Sequence, residues 1–141
     1  MYWADKLAEE IIRRKPDKEE YVCAAGISPS GSVHIGNFRD IATSYFVVRA
    51  LQRAGKKAKL LFSWDEYDRL RKVPKNVRDH LGDDSFEKYI GCPYADIPDP
   101  FGKDESYAAH FEKEFMESVK KFDIEMEYHY QAKEYRSGRY V

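Results

Sequence analysis

Pro29, Gly31, His34, Gly36 and Asn37 fall in the order Pro-x-Gly-x-x-His-x-Gly-Asn. A strand-like apolar run enters this stretch and a long amphipathic run leaves it. A strand that breaks at small residues and re-emerges as a helix leaves backbone N–H groups at the helix start. With the helix dipole, those groups favour an anion such as phosphate. Gly31 and Gly36 carry no Cβ, so a nucleotide could come close to the backbone. His34 is expected on the first helical turn with a ring N–H aimed at the anion. Ser28 and Ser30 contribute hydroxyls, and Pro29 shapes the turn. The plainer reading is a strand-turn-helix with a capping serine and a surface histidine. That reading suits a lone glycine-rich turn; the order found here is more specific.

The flanking pattern predicts the elements that position these residues. Trp3, Leu7 and Ile11 recur at helical spacing, and Pro16 ends that first helix. Residues 21–27 are small, apolar and β-branched, as in a buried parallel strand. A helix is predicted over 33–54, from Ile35, Phe38, Ile41, Tyr45, Val48 and Leu51, with Gly55 as its stop. Residues 58–64 read as a second strand. The strand-helix-strand order implies a right-handed crossover, with ligands at the carboxyl ends of the strands. Asp65 follows the second strand on the same edge, so Ser28, His34 and Asp65 are expected to converge on one crevice. Residues 71–102 read as loops around one short helix at 85–90. Tyr107, Phe111, Phe115 and Val119 mark a further helix, and alternation over 124–130 marks a third, outer strand. The final stretch, 131–141, reads as the opening of another helix.

The chain has 141 residues, 43% hydrophobic and 35% charged, which fits one globular domain with a modest core. Its 24 basic and 25 acidic side chains leave almost no net charge. A domain holding most of a nucleic-acid footprint usually carries a basic excess, so any large RNA contact is expected elsewhere. Basic clusters read as solvated surface, the Arg69–Lys75 run excepted. Cys23 and Cys92 exclude a disulfide framework and a four-cysteine zinc site; Cys23 reads as a buried thiol. Neither a signal peptide nor a membrane-length apolar run is present, so a cytoplasmic location is the default expectation, with no membrane partner. Nothing in the sequence fixes an oligomeric state.

The Pro-x-Gly-x-x-His-x-Gly-Asn stretch resembles the first signature of the class I aminoacyl-tRNA synthetases, in a variant ending in Asn. Phe38-Arg39-Asp40, the run 64–76 and Pro98-Asp99-Pro100-Phe101-Gly102 are similar to the archaeal-type class I lysyl-tRNA synthetases. The resemblance covers nearly the whole chain, as the amino-terminal part of such an enzyme. It implies an α/β fold: the first half of a Rossmann-like nucleotide-binding domain, with a parallel sheet and flanking helices. Residues 1–141 then form a single, incomplete catalytic domain.

The implied function is lysine–tRNA ligation, with ATP and its Mg2+ as cofactors and lysine and tRNA(Lys) as partners. The tRNA would be held mainly by regions outside this chain. Activation is an in-line attack on the α-phosphate, helped by positioned donors rather than a nucleophilic side chain. His34 and Asn37 are the implied catalytic residues. Ser28, Pro29, Ser30, Gly31 and Gly36 join them around ATP, with Gly36 leaving room for adenosine. Gly26, Ser28 and Asp65 are implied around lysine, with Asp65 facing its α-ammonium. Trp64 could wall that pocket, but a tryptophan ending a strand is more often core. Asp68-Arg69 could be a surface ion pair.

Two departures stand out. No Lys-Met-Ser-Lys-Ser signature is present, so the chain holds half of an active site and alone should bind ATP weakly. Similar sequences carry Cys-His after Asp-Pro-x-Gly within a zinc cluster. Here Lys103 and Asp104 follow, leaving Asp99 and His110, so no metal site is expected. Cys92, Asp99, Asp104 and His110 form the mixed set that could overturn this. Without zinc, the loop is expected either to be ordered by packing of Tyr94, Ile97 and Phe101 or to stay mobile. Two alternatives remain: a small nucleotidyltransferase of the same superfamily, using Arg136 or Arg139 on its triphosphate, and a non-catalytic nucleotide-binding relative.

Overall fold

The computed structural model describes residues 2–140, and these fall into two compact units. Of the described residues, unit 1 comprises 2–26, 34–63 and 124–129, and unit 2 comprises 27–33, 64–123 and 130–140.

In unit 1, helix α1 (Trp3–Arg14) packs on helix α2 (Ile35–Arg53). Trp3 and Leu7 share the helical spacing of the apolar residues, yet both are 43% exposed, while Ala4 and Ala8 are buried. Two small residues let the helices approach closely; Trp3 instead lies edge-on to Phe46 of α2, at 6.4 Å. Arg53, in the last turn of α2, pairs with Asp5 at 2.7 Å. The α2 chain stops at Ala54, and Gly55 takes the left-handed φ of 78° that the turn requires.

Strands β1 (Tyr21–Ile27), β2 (Ala58–Trp64) and β3 (Glu127–Tyr130) form a parallel sheet in the order β1-β2-β3. The central strand is therefore β2, whose alternate side chains Ala58, Leu60, Phe62 and Trp64 are all buried. The expectation of a buried first strand is corrected: β1 is an edge strand, and Val22, Ala24 and Gly26 are exposed along one face. Its Cys23 thiol is correspondingly only half-buried, with burial still pushing its pKa up. The third strand is shorter than the alternation suggested, since residues 124–126 lie outside it. Phe62 of β2 meets Tyr128 of β3 edge-on at 5.7 Å, and Lys59 bonds Glu127 across the pair at 2.7 Å.

The core of unit 2 gathers Leu70, Val73, Val77, Tyr94, Ile97, Tyr107 and Phe111. Helix α4 (Tyr107–Val119) follows the predicted apolar spacing, and the Ser106 hydroxyl caps it through the Ala109 N–H. Helix α3 (Lys75–Leu81) was not foreseen; Pro74 opens it and Gly82, at φ 71°, ends it. Short 3-10 turns occupy Ser85–Tyr89 and Tyr94–Asp96, and helix α5 (Gln131–Arg136) follows β3. Trp64 is fully buried against Phe115, edge to face at 5.2 Å, so it is core rather than pocket wall. Among the described residues no helix is long and apolar enough to cross a membrane.

Candidate active site

His34 is the N-cap of α2, not a residue of its first turn. Its backbone is extended (φ −114°, ψ 173°), and ring Nδ1 accepts the Gly36 N–H at 3.1 Å. The His34 carbonyl takes the N–H groups of Asn37 (3.0 Å) and Phe38 (3.3 Å). One residue thus satisfies three donors that the sequence left open for an anion. Because Nδ1 accepts, the neutral ring carries its proton on Nε2, and Nε2–H is the donor offered outward from this exposed residue. Gly36 has a local reason to be glycine: a Cβ there would lie 3.0 Å from both Cε1 and Nδ1 of His34. Room for the histidine ring comes before any room for adenosine. His34, Gly36, Asn37 and Gly26 all belong to unit 1.

Unit 2 holds the remaining predicted residues: Ser28, Pro29, Ser30, Gly31 and Asp65. The Asp65 N–H donates to the Ile27 carbonyl at 3.0 Å, which sets Asp65 beside the backbone that leads into Ser28. The Ser28 hydroxyl donates to Asp68 Oδ2 at 2.5 Å. Asp68 is therefore not in an ion pair with Arg69 but orients Ser28, a role the sequence missed. Its only sequence signal was its place in the turn after Asp65, where its N–H closes on the Asp65 carbonyl at 3.2 Å. A serine that donates its proton keeps its oxygen lone pairs for an incoming donor. Ser28 and Asp68 line one pocket; Asp65 does not line it.

Packing beneath holds this loop in place. The Tyr107 hydroxyl donates to the Ser30 carbonyl at 2.6 Å, and Pro74 Cγ would meet a Cβ on Gly31 at 3.4 Å. Burial drives the Tyr107 pKa far above its ordinary value, so the phenol stays a donor. A cavity of about 570 Å³ opens here, lined by Ser28, Ser30, Asp68, Arg71, Lys72 and Tyr94 among others.

Asp99, Asp104 and His110 place one ligand atom each within 4.8 Å of one another, and Cys92 does not join them. The donor set fits zinc poorly. Asp99 Oδ1 already accepts the Phe101 N–H at 2.9 Å, and Oδ2 accepts those of Lys103 and Asp104 at 2.8 Å each. His110 Nδ1 lies 3.3 Å from Oδ2 of both aspartates, close enough for an ionic contact although it completes no hydrogen bond. Burial pushes the Asp99 pKa up, but the three backbone donors and His110 outweigh it and hold the carboxyl below its ordinary value. Tyr94 and Ile97 are buried and Phe101 packs on the same core, so packing and the Asp99 bonds order the loop.

A third feature escaped the sequence reading altogether. Glu66 and Glu112 are both buried, at 8% and 6% exposure. Glu66 Oε1 accepts the Ala132 N–H at 3.0 Å. Burial, then the charge of Glu66 and a hydrogen bond to it, push the Glu112 pKa to about 8. Burial beside a second carboxyl thus favours the protonated form of Glu112.

A family model described as "tRNA synthetases class I (K)" matches residues 1–141. The chain is 45% identical to a lysine–tRNA ligase of Treponema pallidum over 141 residues, all of this chain and 26% of that protein. It is 45% identical over 140 residues to the lysine–tRNA ligase of Pyrococcus horikoshii, covering 99% of this chain and 26% of that one. That of Thermococcus kodakarensis is 46% identical over 141 residues, with 100% and 26% coverage. The chain thus spans about a quarter of the length of these relatives.

Proposed function

Since the chain belongs to the family of class I tRNA synthetases described by the letter K, we propose that it forms the amino-terminal part of the catalytic domain of a lysine–tRNA ligase. The observation that carries this reading is the unbroken match over residues 1–141 to proteins bearing that name. In the proposed reaction the lysine carboxylate attacks the α-phosphate of ATP in line, pyrophosphate leaves, and the lysyl group then passes to tRNA. Mg2+ accompanies ATP, supplying positive charge to the phosphates.

The residues of this chain divide the work. His34 Nε2–H and the Asn37 side-chain amide donate to phosphate oxygens as negative charge gathers there. With the Gly36 N–H on Nδ1, the His34 ring nitrogen left to act is Nε2. Ser28, Pro29, Ser30 and Gly31 shape the loop around ATP, with Ser30 held by Tyr107. Asp65 accepts from the lysine α-ammonium, beside the Ser28 oxygen that Asp68 orients. Gly26, exposed at the end of β1, leaves space for the substrate. No residue here is assigned to the ε-ammonium, and zinc has no part.

The nucleotidyltransferase alternative loses its cations: Arg136 is paired to Asp96 at 2.8 Å, and Arg139 lies 3.4 Å from Glu134. Asp65→Asn tests the assignment, because it keeps the side-chain shape and removes the charge. In the native protein the Michaelis constant for lysine should rise at least tenfold while that for ATP stays within twofold. An unchanged lysine constant would remove Asp65 from the substrate pocket.

A further inference from the structure

Among the described residues three acidic side chains are buried: Glu66, Glu112 and Glu134, at 8%, 6% and 8% exposure. Glu134 has a cation, Arg139, at 3.4 Å. Glu66 and Glu112 form no ion pair and face each other instead. Glu66 Oε1 accepts the Ala132 N–H at 3.0 Å, whereas Glu112 Oε1 accepts nothing. Two buried carboxyls without a cation destabilise a fold, and a cation bound beside them reverses that cost.

Both carboxyls line a cavity of about 640 Å³, all of it within unit 2. This cavity shares no lining residue with the one at Ser28. Ala95 and Ala109 give it small apolar walls, and Tyr130 completes its polar part. Burial, then the charges of Glu112 and Glu66, push the Tyr130 pKa up, so the phenol stays protonated. Its hydroxyl donates to Met116 Sδ at 3.8 Å, which leaves the oxygen lone pairs for an incoming donor. The exposed charged groups on the lining are Glu105, Lys133 and Arg136. Arg136 is held by Asp96 at 2.8 Å, and Lys133 pairs with neither buried carboxyl.

The donor set selects the kind of cation. With Glu112 favoured in its protonated form, the pair carries one negative charge, which a monovalent cation neutralises. Mg2+ and Ca2+ take about six or more oxygens, and no histidine or thiol lines the cavity to hold a softer metal. An alkylammonium brings N–H donors on three sides, for Glu112 Oε1, a Glu66 oxygen and the Tyr130 oxygen. The last torsion of a glutamate side chain is soft, so Glu112 can turn its orphaned oxygen to an ammonium in the cavity it lines. The alkyl part then meets the Ala95 and Ala109 walls.

We propose that the Glu66–Glu112 pair, with Tyr130, is a binding site for a small primary alkylammonium ion, separate from the residues assigned to ATP and lysine. The site does not depend on the ligase reading.

The test titrates the native protein with n-butylammonium chloride by calorimetry at pH 7, with tetramethylammonium and Mg2+ for comparison. Butylammonium should bind saturably, and tetramethylammonium, which has no N–H, at least about tenfold more weakly. Glu112→Gln and Glu66→Gln should each weaken butylammonium binding about tenfold or more. Glutamine keeps the side-chain shape, so that loss reports the carboxyl and not the fold. Asp65→Asn should change the affinity less than about twofold. A parent that binds no butylammonium, or binds it no better than Glu112→Gln does, would overturn the site. So would a loss in Asp65→Asn with none in Glu112→Gln, which would put the ammonium in the proposed lysine pocket. Mg2+ held more tightly than butylammonium, and lost in Glu112→Gln, would make the pair a metal site and overturn it as well.

Discussion

Replacing Glu112 by Gln should make this protein more stable, and more so as pH rises. Glu112 is 6% exposed, its Oε1 has no hydrogen-bond partner, and its carboxyl faces that of Glu66. Other ionisable groups on the same cavity are Glu105, Tyr130, Lys133 and Arg136, the last engaged by Asp96. The folded carboxyl titrates near 8 against an ordinary value of 4.5. Between those values the folded state keeps a proton that the unfolded chain has lost, so stability falls as pH rises and levels off above pH 8. At about 1.4 kcal/mol per unit, the loss approaches about 3 kcal/mol at pH 7 and about 5 kcal/mol above pH 8. Glutamine has the same shape, carries no charge and can donate its amide to Glu66. Urea unfolding at pH 5, 7 and 8.5 measures the effect. Parent and variant should lie close together at pH 5 and separate progressively at the higher values. Parallel stability curves for the two proteins, or a variant less stable at pH 8.5, would show that Glu112 does not hold a raised pKa in the folded protein.

His34→Ala in the native protein should slow lysine-dependent pyrophosphate exchange by about 100-fold or more, the scale of one lost transition-state donor, with lysine affinity barely altered; a loss confined to lysine binding would reassign the residue. Gly36→Ala should act through His34, because its Cβ would sit 3.0 Å from the ring. Exchange should fall at least tenfold with the melting temperature shifted only a few degrees, and crystallography should find the imidazole displaced; an unmoved ring with full activity would contradict this. Chelator-free protein should contain well under one zinc per chain by elemental analysis, because Asp99 is already occupied by three backbone donors. A stoichiometric ion would show that those bonds yield to metal.

Element order was legible because it depends on local pattern. The periodicity of α2 and α4 and the stop at Gly55 act within a few residues of each other. Burial was less legible because it depends on neighbours distant in sequence. Trp3 and Leu7 have helical spacing, yet α1 turns Ala4 and Ala8 to its partner. Whether β1 is central or at an edge depends on strand order, which no single strand encodes. At the site, the residue types of the His34–Asn37 signature were readable, but the path of its hydrogen bonds was not. The histidine caps its own helix, and only the folded backbone shows that Nδ1 is taken and Nε2 left to act. Asp68 and Glu112 were missed for the same reason. Their partners, Ser28 and Glu66, lie tens of residues away and follow no short motif.

ATP–pyrophosphate exchange on the native protein, with each of the twenty amino acids supplied in turn, decides whether it activates lysine. Exchange with lysine should exceed that with any other amino acid at least a hundredfold and should be lost in His34→Ala. Exchange driven by a different amino acid, or ATP binding with no amino-acid-dependent exchange at all, would contradict it.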